Sequence, residues 1–210
     1  ELPSDLITAD YETIQPYLTA VLQAEKADDA TRERAIAAAG MVKAADLLAS
    51  DYTLVITNVP YRTRGDHCDV LLDFADKHEP DARADLATVF VSRFLRSLTT
   101  HGCLAAVTPQ NWLFLKSYGD MRNRLLHDYQ WHLISWLGEH AFESSAAAGA
   151  FAALVQISAA LAPHSCLIYA LDVSKPRSPL EKAEKLRSSD IHARAQQSVR
   201  QNPDSRISVE

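Results

Sequence analysis

The most constraining feature of the sequence is a strand, helix, strand series in its middle. Residues 53–57 form a short β-branched run stopped by Asn58-Val59-Pro60-Tyr61, and the apolar residues 103–108 are the next strand candidate before Pro109. Between them, residues 83–99 place apolar side chains on one helical face, with Gly102 as a stop after the helix. Such a series predicts buried strands that pair in parallel in an α/β sheet.

The flanking segments extend this pattern. Two amphipathic helices are predicted over residues 10–26 and 31–48, a loop with one helical turn over 66–80, and a helix over 118–127. Strands over residues 131–137 and 151–158, joined by a loop of small residues, should form an antiparallel pair, and 166–171 should add an edge strand. The rest from residue 174 reads as a helix plus a loose tail. We therefore expect a helical segment (1–50), a catalytic α/β part (51–172) and a charged linker or following region (173–210).

Composition excludes several classes of protein. In 210 residues, with 47% hydrophobic and 23% charged side chains, no apolar run is long enough for a membrane helix. Cys68, Cys103 and Cys166 are odd in number and far apart, and the eight histidines show no metal-ligand spacing, so we expect neither a disulfide framework nor a metal site. The net charge of −6 disfavours a stand-alone nucleic-acid binder. A soluble, cytoplasmic protein is the expectation. The chain also begins without methionine and stops in polar sequence, which suggests a fragment.

The first candidate site is Asn58 to Tyr61, at the predicted carboxyl end of a parallel strand, where ligands of such sheets bind. An amide oxygen and a nearby backbone carbonyl can both accept from one amino group, and an aromatic ring can stack on a planar base. The competing interpretation is a simple turn after a strand.

With these four residues the sequence resembles the Asn-Pro-Pro-Tyr motif of adenine-specific, S-adenosylmethionine-dependent DNA methyltransferases. Further segments are similar to that family in the same order, and the similarity spans residues 44–158. Its details look most like the large methyltransferases of BREX-type phage-defence systems. The segments are 52–61, 80–90 with Asp85-Leu86, 98–113 with Thr108-Pro109, 114–118, and 137–142 with Leu137-Gly138 and Phe142.

The resemblance implies a Rossmann-like class I methyltransferase sheet, of which this chain carries part, and a role for each site residue. Asn58 and the Pro60 carbonyl would accept the amino hydrogens of a flipped-out adenine in double-stranded DNA, with Tyr61 stacked on the base. Phe142 would be a second aromatic wall. S-adenosylmethionine would lie near Asn58 and Asp85.

Each role has a structural competitor. Phe142 could be a core aromatic, and Asp85 could be a helix N-cap. Arg62 and Arg64 are candidate phosphate contacts or ordinary surface charge. The three tryptophans, Trp112, Trp131 and Trp136, are expected to be packing residues.

Two departures from the family pattern keep other functions open. Val59 stands where the family has proline, which could loosen the loop, and no glycine precedes Gly40, so a glycine-rich cofactor loop is missing, as is a target-recognition domain. The alternatives are a non-catalytic module that binds DNA or a partner protein, and a methyltransferase acting on protein or RNA. The leading expectation is DNA adenine methylation in a bacterial restriction-modification or phage-defence system, with other defence proteins as further partners and no membrane association.

Overall fold

The computed structural model describes residues 16–17, 20, 29–144 and 149–208. The chain divides into two compact units, Glu1–Asp51 and Tyr52–Glu210. In the first unit, helix α1 (Asp29–Ala49) confirms the predicted second helix. The first predicted helix, residues 10–26, lies almost wholly outside the described residues. Within this range residues 16, 17 and 20 are described, and all three are helical.

The second unit is built on a six-stranded mixed sheet. Its strands are β1 (Tyr52–Asn58), β2 (Leu98–Pro109), β3 (Gln130–Gly138), β4 (Ala152–Ser158), β5 (Leu167–Asp172) and β6 (His192–Ala195). The order across the sheet is β1-β2-β4-β3-β5-β6. β1 pairs with β2 in parallel, as predicted, and β4 runs antiparallel between β2 and β3. β5 is parallel to β3, and β6 is antiparallel to β5.

In the described part of this unit, five α-helices accompany the sheet: α2 (Asp69–His78), α3 (Leu86–Arg96), α4 (Gly119–Asp128), α5 (Pro179–Ser188) and α6 (Gln196–Arg200). The main core joins the apolar faces of α3 and α4 to the strands. It contains Leu95, Leu104, Leu125 and Ile134, all at most 2% exposed. The three tryptophans are buried, as expected of packing residues, and the Trp112 and Trp131 rings lie 5.7 Å apart.

Two predictions about β1 and the segment after it are wrong. β1 is not buried, because Leu54 and Ile56 are 54% and 75% exposed on a strand that lies at the edge of the described sheet. Residues 66–80 are not mainly a loop, because ten of them form α2. The helical spacing of Leu71, Leu72 and Ala75 outweighs the polar composition, and Lys77 and His78 complement the dipole of its last turn.

Gly102 does not precede β2, as the sequence suggested, but lies inside it. A Cβ there would come within 2.8 Å of the Tyr52 carbonyl oxygen, so glycine lets β1 approach closely at the irregular start of the pair.

The end of the chain also differs from expectation. β5 is not an edge strand, because β6 covers its outer side, and residues 192–208 are not a loose tail. Val199 and Ile207 are buried in the main core, and the Gln196 side chain hydrogen-bonds the backbone at Leu126, Tyr129 and Trp131. In the described residues, no helix is long and apolar enough to cross a membrane.

Candidate functional site

The Asn58–Tyr61 segment lies where the sequence predicted it, at the carboxyl end of β1. Asn58 pairs with Val107 of β2, and its exposed side-chain amide has no hydrogen-bond partner among the described residues. Val59 does not loosen the segment. It is 3% exposed, and its N–H donates to the Val107 carbonyl at 3.2 Å, a hydrogen bond that proline could not make. The backbone around Asn58 is thus held by hydrogen bonds to β2, whereas its side-chain amide makes no hydrogen bond within the described residues.

The chain after Tyr61 is clamped to the start of α3. The Leu86 N–H donates to the Arg62 carbonyl at 2.8 Å, and the Arg64 N–H donates to the Ala84 carbonyl at 3.1 Å. Asp85 is the N-cap of α3, since its Oδ1 accepts from the Ala87 N–H at 2.7 Å. The alternative interpretation of Asp85, as a helix N-cap, is therefore confirmed. Its role in cofactor binding stays a prediction.

A half-buried polar cluster forms behind the segment. The Tyr61 hydroxyl is buried and has no hydrogen-bond partner among the residues that the structure describes. Burial, with a smaller contribution from the Asp85 charge, raises the pKa of Tyr61 to about 12, and the same causes raise the pKa of Tyr118 to about 12. Both phenols are therefore neutral at pH 7. Both also lie close enough to Asp85 for its charge to contribute to the raised pKa.

The surroundings of Asp85 disfavour its negative charge. Burial raises the pKa of Asp85, while the backbone N–H groups of Ala87 and Arg62 and the charge of His67 oppose that rise. His67 is buried, and its Nε2 lies 3.2 Å from the Arg62 carbonyl. The segment after β1 consequently packs next to a carboxylate that is largely desolvated.

The other predicted site residues are placed less uniformly. Phe142 is half-buried and packs against the small cluster of Leu137, Ala152 and Val173, which Val107 also contacts. Phe142 thus packs against the same cluster as Val107, the strand partner of Asn58. This position fits both interpretations of Phe142, as a core residue and as a wall beside the base.

The two arginines after the motif also differ from each other. Arg62 is exposed, whereas Arg64 donates to Asp76 at 2.8 Å. Of the two, Arg62 is freer to contact phosphate, and a phosphate contact for either stays a prediction.

Sequence reasoning missed Tyr118 and His67 as neighbours of this segment. The sequence places Tyr118 at the end of the 114–118 similarity and at the start of a predicted helix, and it places His67 in a predicted loop. The signal for Tyr118 was its place after the exit of β2, which is the strand adjacent to β1. Nothing in the local sequence pattern of His67 pointed to burial.

Comparison with known proteins identifies the family. The family model described as the Eco57I restriction-modification methylase matches residues 7–142, which is more than half of the chain. The chain belongs to this family. Over 105 residues it is 32% identical to the adenine-specific methyltransferase PglX of Lacticaseibacillus casei (strain Zhang). The alignment covers 49% of this chain and 8% of that relative, and it confirms the resemblance on which the sequence interpretation rested.

Solved structures support the fold assignment. The chain superposes on the methyltransferase subunit of a type I restriction-modification system from Streptococcus thermophilus with a TM-score of 0.52 and 16% identity, covering 75% of this chain and 37% of that one. It also superposes on the type ISP restriction-modification enzyme LlaGI, solved with a DNA substrate mimic, with a TM-score of 0.53 and 13% identity over 90% of this chain and 20% of that one. The predicted methyltransferase-type α/β fold is confirmed, and this chain spans less than half the length of either protein.

Proposed function

We propose that this chain forms the substrate-amine side of the catalytic domain of a site-specific DNA adenine N6-methyltransferase. The observation that carries the proposal is the exposed, unpartnered amide of Asn58, fixed at the carboxyl end of β1 and followed by Pro60 and Tyr61, in a member of a restriction-modification methylase family. The relative named as an adenine-specific methyltransferase supports the choice of base, and the LlaGI enzyme solved with a DNA substrate mimic supports the choice of substrate.

The chemistry follows from hydrogen-bonding capacity. The Asn58 side-chain oxygen and the Pro60 backbone carbonyl can accept both hydrogens of one exocyclic amine, because neither oxygen accepts another hydrogen bond within the described residues. Holding both hydrogens turns the nitrogen lone pair away from conjugation with the ring and toward the methyl donor. Tyr61 stacks on the extruded base, and Phe142 forms the opposite wall. Extrusion is required because the amine lies inside the duplex stack.

S-adenosylmethionine is the inferred methyl donor, and the residues present suit it. The candidates to hold it are the exposed amide of Asn58 at the end of β1 and the half-buried carboxylate of Asp85 at the start of α3. The sulfonium supplies an activated methyl group. The chain's own contribution is alignment of the amine and exclusion of water, which can lower the barrier substantially.

The setting of this activity is part of the proposal. An enzyme of this kind acts on chromosomal or phage DNA in the bacterial cytoplasm, as part of restriction-modification or phage defence. Other defence proteins are its expected partners. Arg62 would contact a phosphate next to the extruded base, with Arg64 in a supporting position.

The test is transfer of labelled methyl from S-adenosylmethionine to unmethylated DNA by the full-length protein. We expect label on adenine N6, reduced at least about a hundredfold by Asn58→Ala, since a positioned group that acts in the transition state contributes on that scale. Asn123→Ala is the matched control, because Asn123 is exposed on α4 and contacts only Arg200 in the described chain.

The readout separates the proposal from its competitors. Label on adenine that survives Asn58→Ala would remove Asn58 from the mechanism. Absence of transfer by the folded wild type, on DNA of varied sequence, would favour the non-catalytic binding module.

A further inference from the structure

A second candidate site lies along the same edge of the sheet. A cavity of about 480 Å³ opens between the exits of β2 and β3, the start of β4 and the segment after β5. Its wall includes Gln110, Gly138, Phe151, Lys175 and Arg177. This volume is typical of a pocket for one small ligand or one nucleotide.

The backbone of the cavity is fixed in advance. Gly138 has φ +64°, and a Cβ at this position would lie 2.9 Å from the Ser174 Cβ, so only glycine lets the two segments meet. The Ser174 N–H in turn donates to Asp172 Oδ1 at 2.8 Å, which closes the turn after β5. A preformed wall lowers the cost of ordering a ligand.

A buried lysine ties the two walls together. The Lys182 side chain of α5 is 3% exposed, and its ammonium donates to the carbonyls of Leu137, Val173 and Ser174 at 2.6, 3.1 and 3.2 Å. All three donor positions are therefore used, so Lys182 positions the cavity wall and does not reach a ligand.

The groups that face the cavity suit a nucleotide. Lys175 and Arg177 are exposed, and neither forms an ion pair within the described ranges. Gln110 lies in the cavity wall, and its buried Oε1 has no hydrogen-bond partner in the described part of the chain. The one acidic group in the wall, Glu139, lies 4.0 Å from His140 Nε2. Two free cations, a free amide and the Phe151 ring match a phosphate, a base edge and a base face.

The position of the cavity relates it to the candidate methylation site. Neighbouring strands lie about 4.8 Å apart, and β4 and β3 are two and three strands from β1, which places the cavity roughly 10 to 15 Å from Asn58 along one edge. A DNA strand covers this distance in about three or four nucleotides at about 3.4 Å each. A strand whose adenine lies at Asn58 can therefore reach the cavity within three or four nucleotides.

We propose that this cavity binds a nucleotide three or four positions from the target adenine on the same strand, with Lys175 and Arg177 on its phosphate and Gln110 on its base edge. The inference rests on the proposed function for the identity of the strand. It assigns DNA-contact residues well beyond the Asn58–Tyr61 segment, and two of them, Lys175 and Arg177, lie outside every segment that the sequence analysis marked.

The test compares two double substitutions that remove the same charge from the full-length protein. Lys175→Ala with Arg177→Ala empties the cavity mouth, whereas Lys185→Ala with Arg187→Ala removes two exposed cations from the last turn of α5, outside the cavity. Binding of a fluorescein-labelled, mixed-sequence duplex is followed by anisotropy over a salt series, and methylation of genomic DNA is measured in parallel.

Removal of both cations from the one phosphate should lower the slope of log K against log salt by about 0.9 and weaken binding at moderate salt, with the control pair close to wild type. Gln110→Leu should raise KM for DNA and leave KM for S-adenosylmethionine unchanged. Equal slopes for the two double variants, with a wild type that binds and methylates, would overturn the cavity inference alone. A wild type that binds but does not methylate would overturn the proposed function, and the slopes would still decide the role of the cavity.

Discussion

At the scale of single residues, Asp85 combines two properties that oppose each other. Its carboxylate caps α3 by accepting from the Ala87 N–H, which stabilises the helix start. The same carboxylate is half-buried, and burial raises its pKa above the ordinary 3.8. A group whose pKa is raised by folding binds its proton more tightly in the native state. The native state therefore loses stability as the pH rises from below 3.8 through the folded pKa.

Substituting Asp85 separates the cap from the charge. Asp85→Asn keeps a side-chain oxygen for the Ala87 N–H and removes the desolvated charge, so the start of α3 should be as stable as in the wild type at low pH and more stable at pH 7. Asp85→Ala should be about 1 kcal/mol less stable than Asp85→Asn at both pH values. Hydrogen exchange of the first turn of α3, corrected for intrinsic rates, measures both effects.

The same pair of variants tests the cofactor role of Asp85. If the carboxylate holds S-adenosylmethionine, Asp85→Asn raises KM for the cofactor although the helix start is intact. An unchanged KM in both variants would leave Asp85 as a cap alone.

Single residues also show where sequence reasoning ends. The roles of Asn58, Pro60 and Tyr61 could be proposed because a strand end places them at the ligand-binding edge of the sheet. The partnerless Tyr61 hydroxyl and the Gln110 amide could not be foreseen, because each depends on chain segments that are distant in sequence.

At the scale of elements, β1 and the start of α3 act as one unit around the Asn58–Tyr61 segment. The Val59 N–H extends the β1–β2 ladder by one hydrogen bond beyond Asn58, and the Arg62 and Ala84 carbonyls tie the following residues to α3. The segment is therefore held from both sides. The conformation of the segment is therefore determined more by the hydrogen bonds to β2 and α3 than by its own four residues.

Restoring the family's proline tests this arrangement. Val59→Pro removes the donor to the Val107 carbonyl, and we expect a local loss of about 0.5 to 1.5 kcal/mol, seen as faster hydrogen exchange at the ends of β1 and β2. Methyl transfer should persist, because Asn58, Pro60 and Tyr61 remain. Val59→Ala, which keeps the N–H, is the control for loss of the buried side chain. Unchanged protection in Val59→Pro would mean that the ladder hydrogen bond contributes nothing to the segment.

Element-scale predictions succeeded where periodicity was strong and failed where it competed with composition. α3, α4 and the β3–β4 pair follow from their apolar spacing, and all three are present. α2 was missed because its charged residues obscured a short apolar face. β6 was missed because four residues, His192–Ala195, carry no strand signal of their own and are held only by pairing with β5.

At the scale of the whole sheet unit, Arg122 connects parts of the chain that are far apart in sequence. It is fully buried on α4, and its guanidinium donates to the carbonyls of Trp112 and Leu115 at 2.6 and 2.7 Å. On the other side it donates to the Asp204 and Ser205 carbonyls, in a turn where both residues have positive φ. The exit of β2 and the final segment are thus joined by one side chain.

Replacing Arg122 should loosen both regions together. Arg122→Met fills similar space but leaves the Trp112, Asp204 and Ser205 carbonyls without their donor. At about 1 to 3 kcal/mol for each, we expect a loss of at least about 3 kcal/mol. Hydrogen exchange of the full-length protein should accelerate jointly over residues 112–128 and 199–208. Arg206→Met is the matched control, since its exposed ion pair with Asp204 should contribute less than about 1 kcal/mol. Acceleration confined to one region would show that the final segment is held by Val199 and Ile207 alone, and that Arg122 does not couple it to the exit of β2.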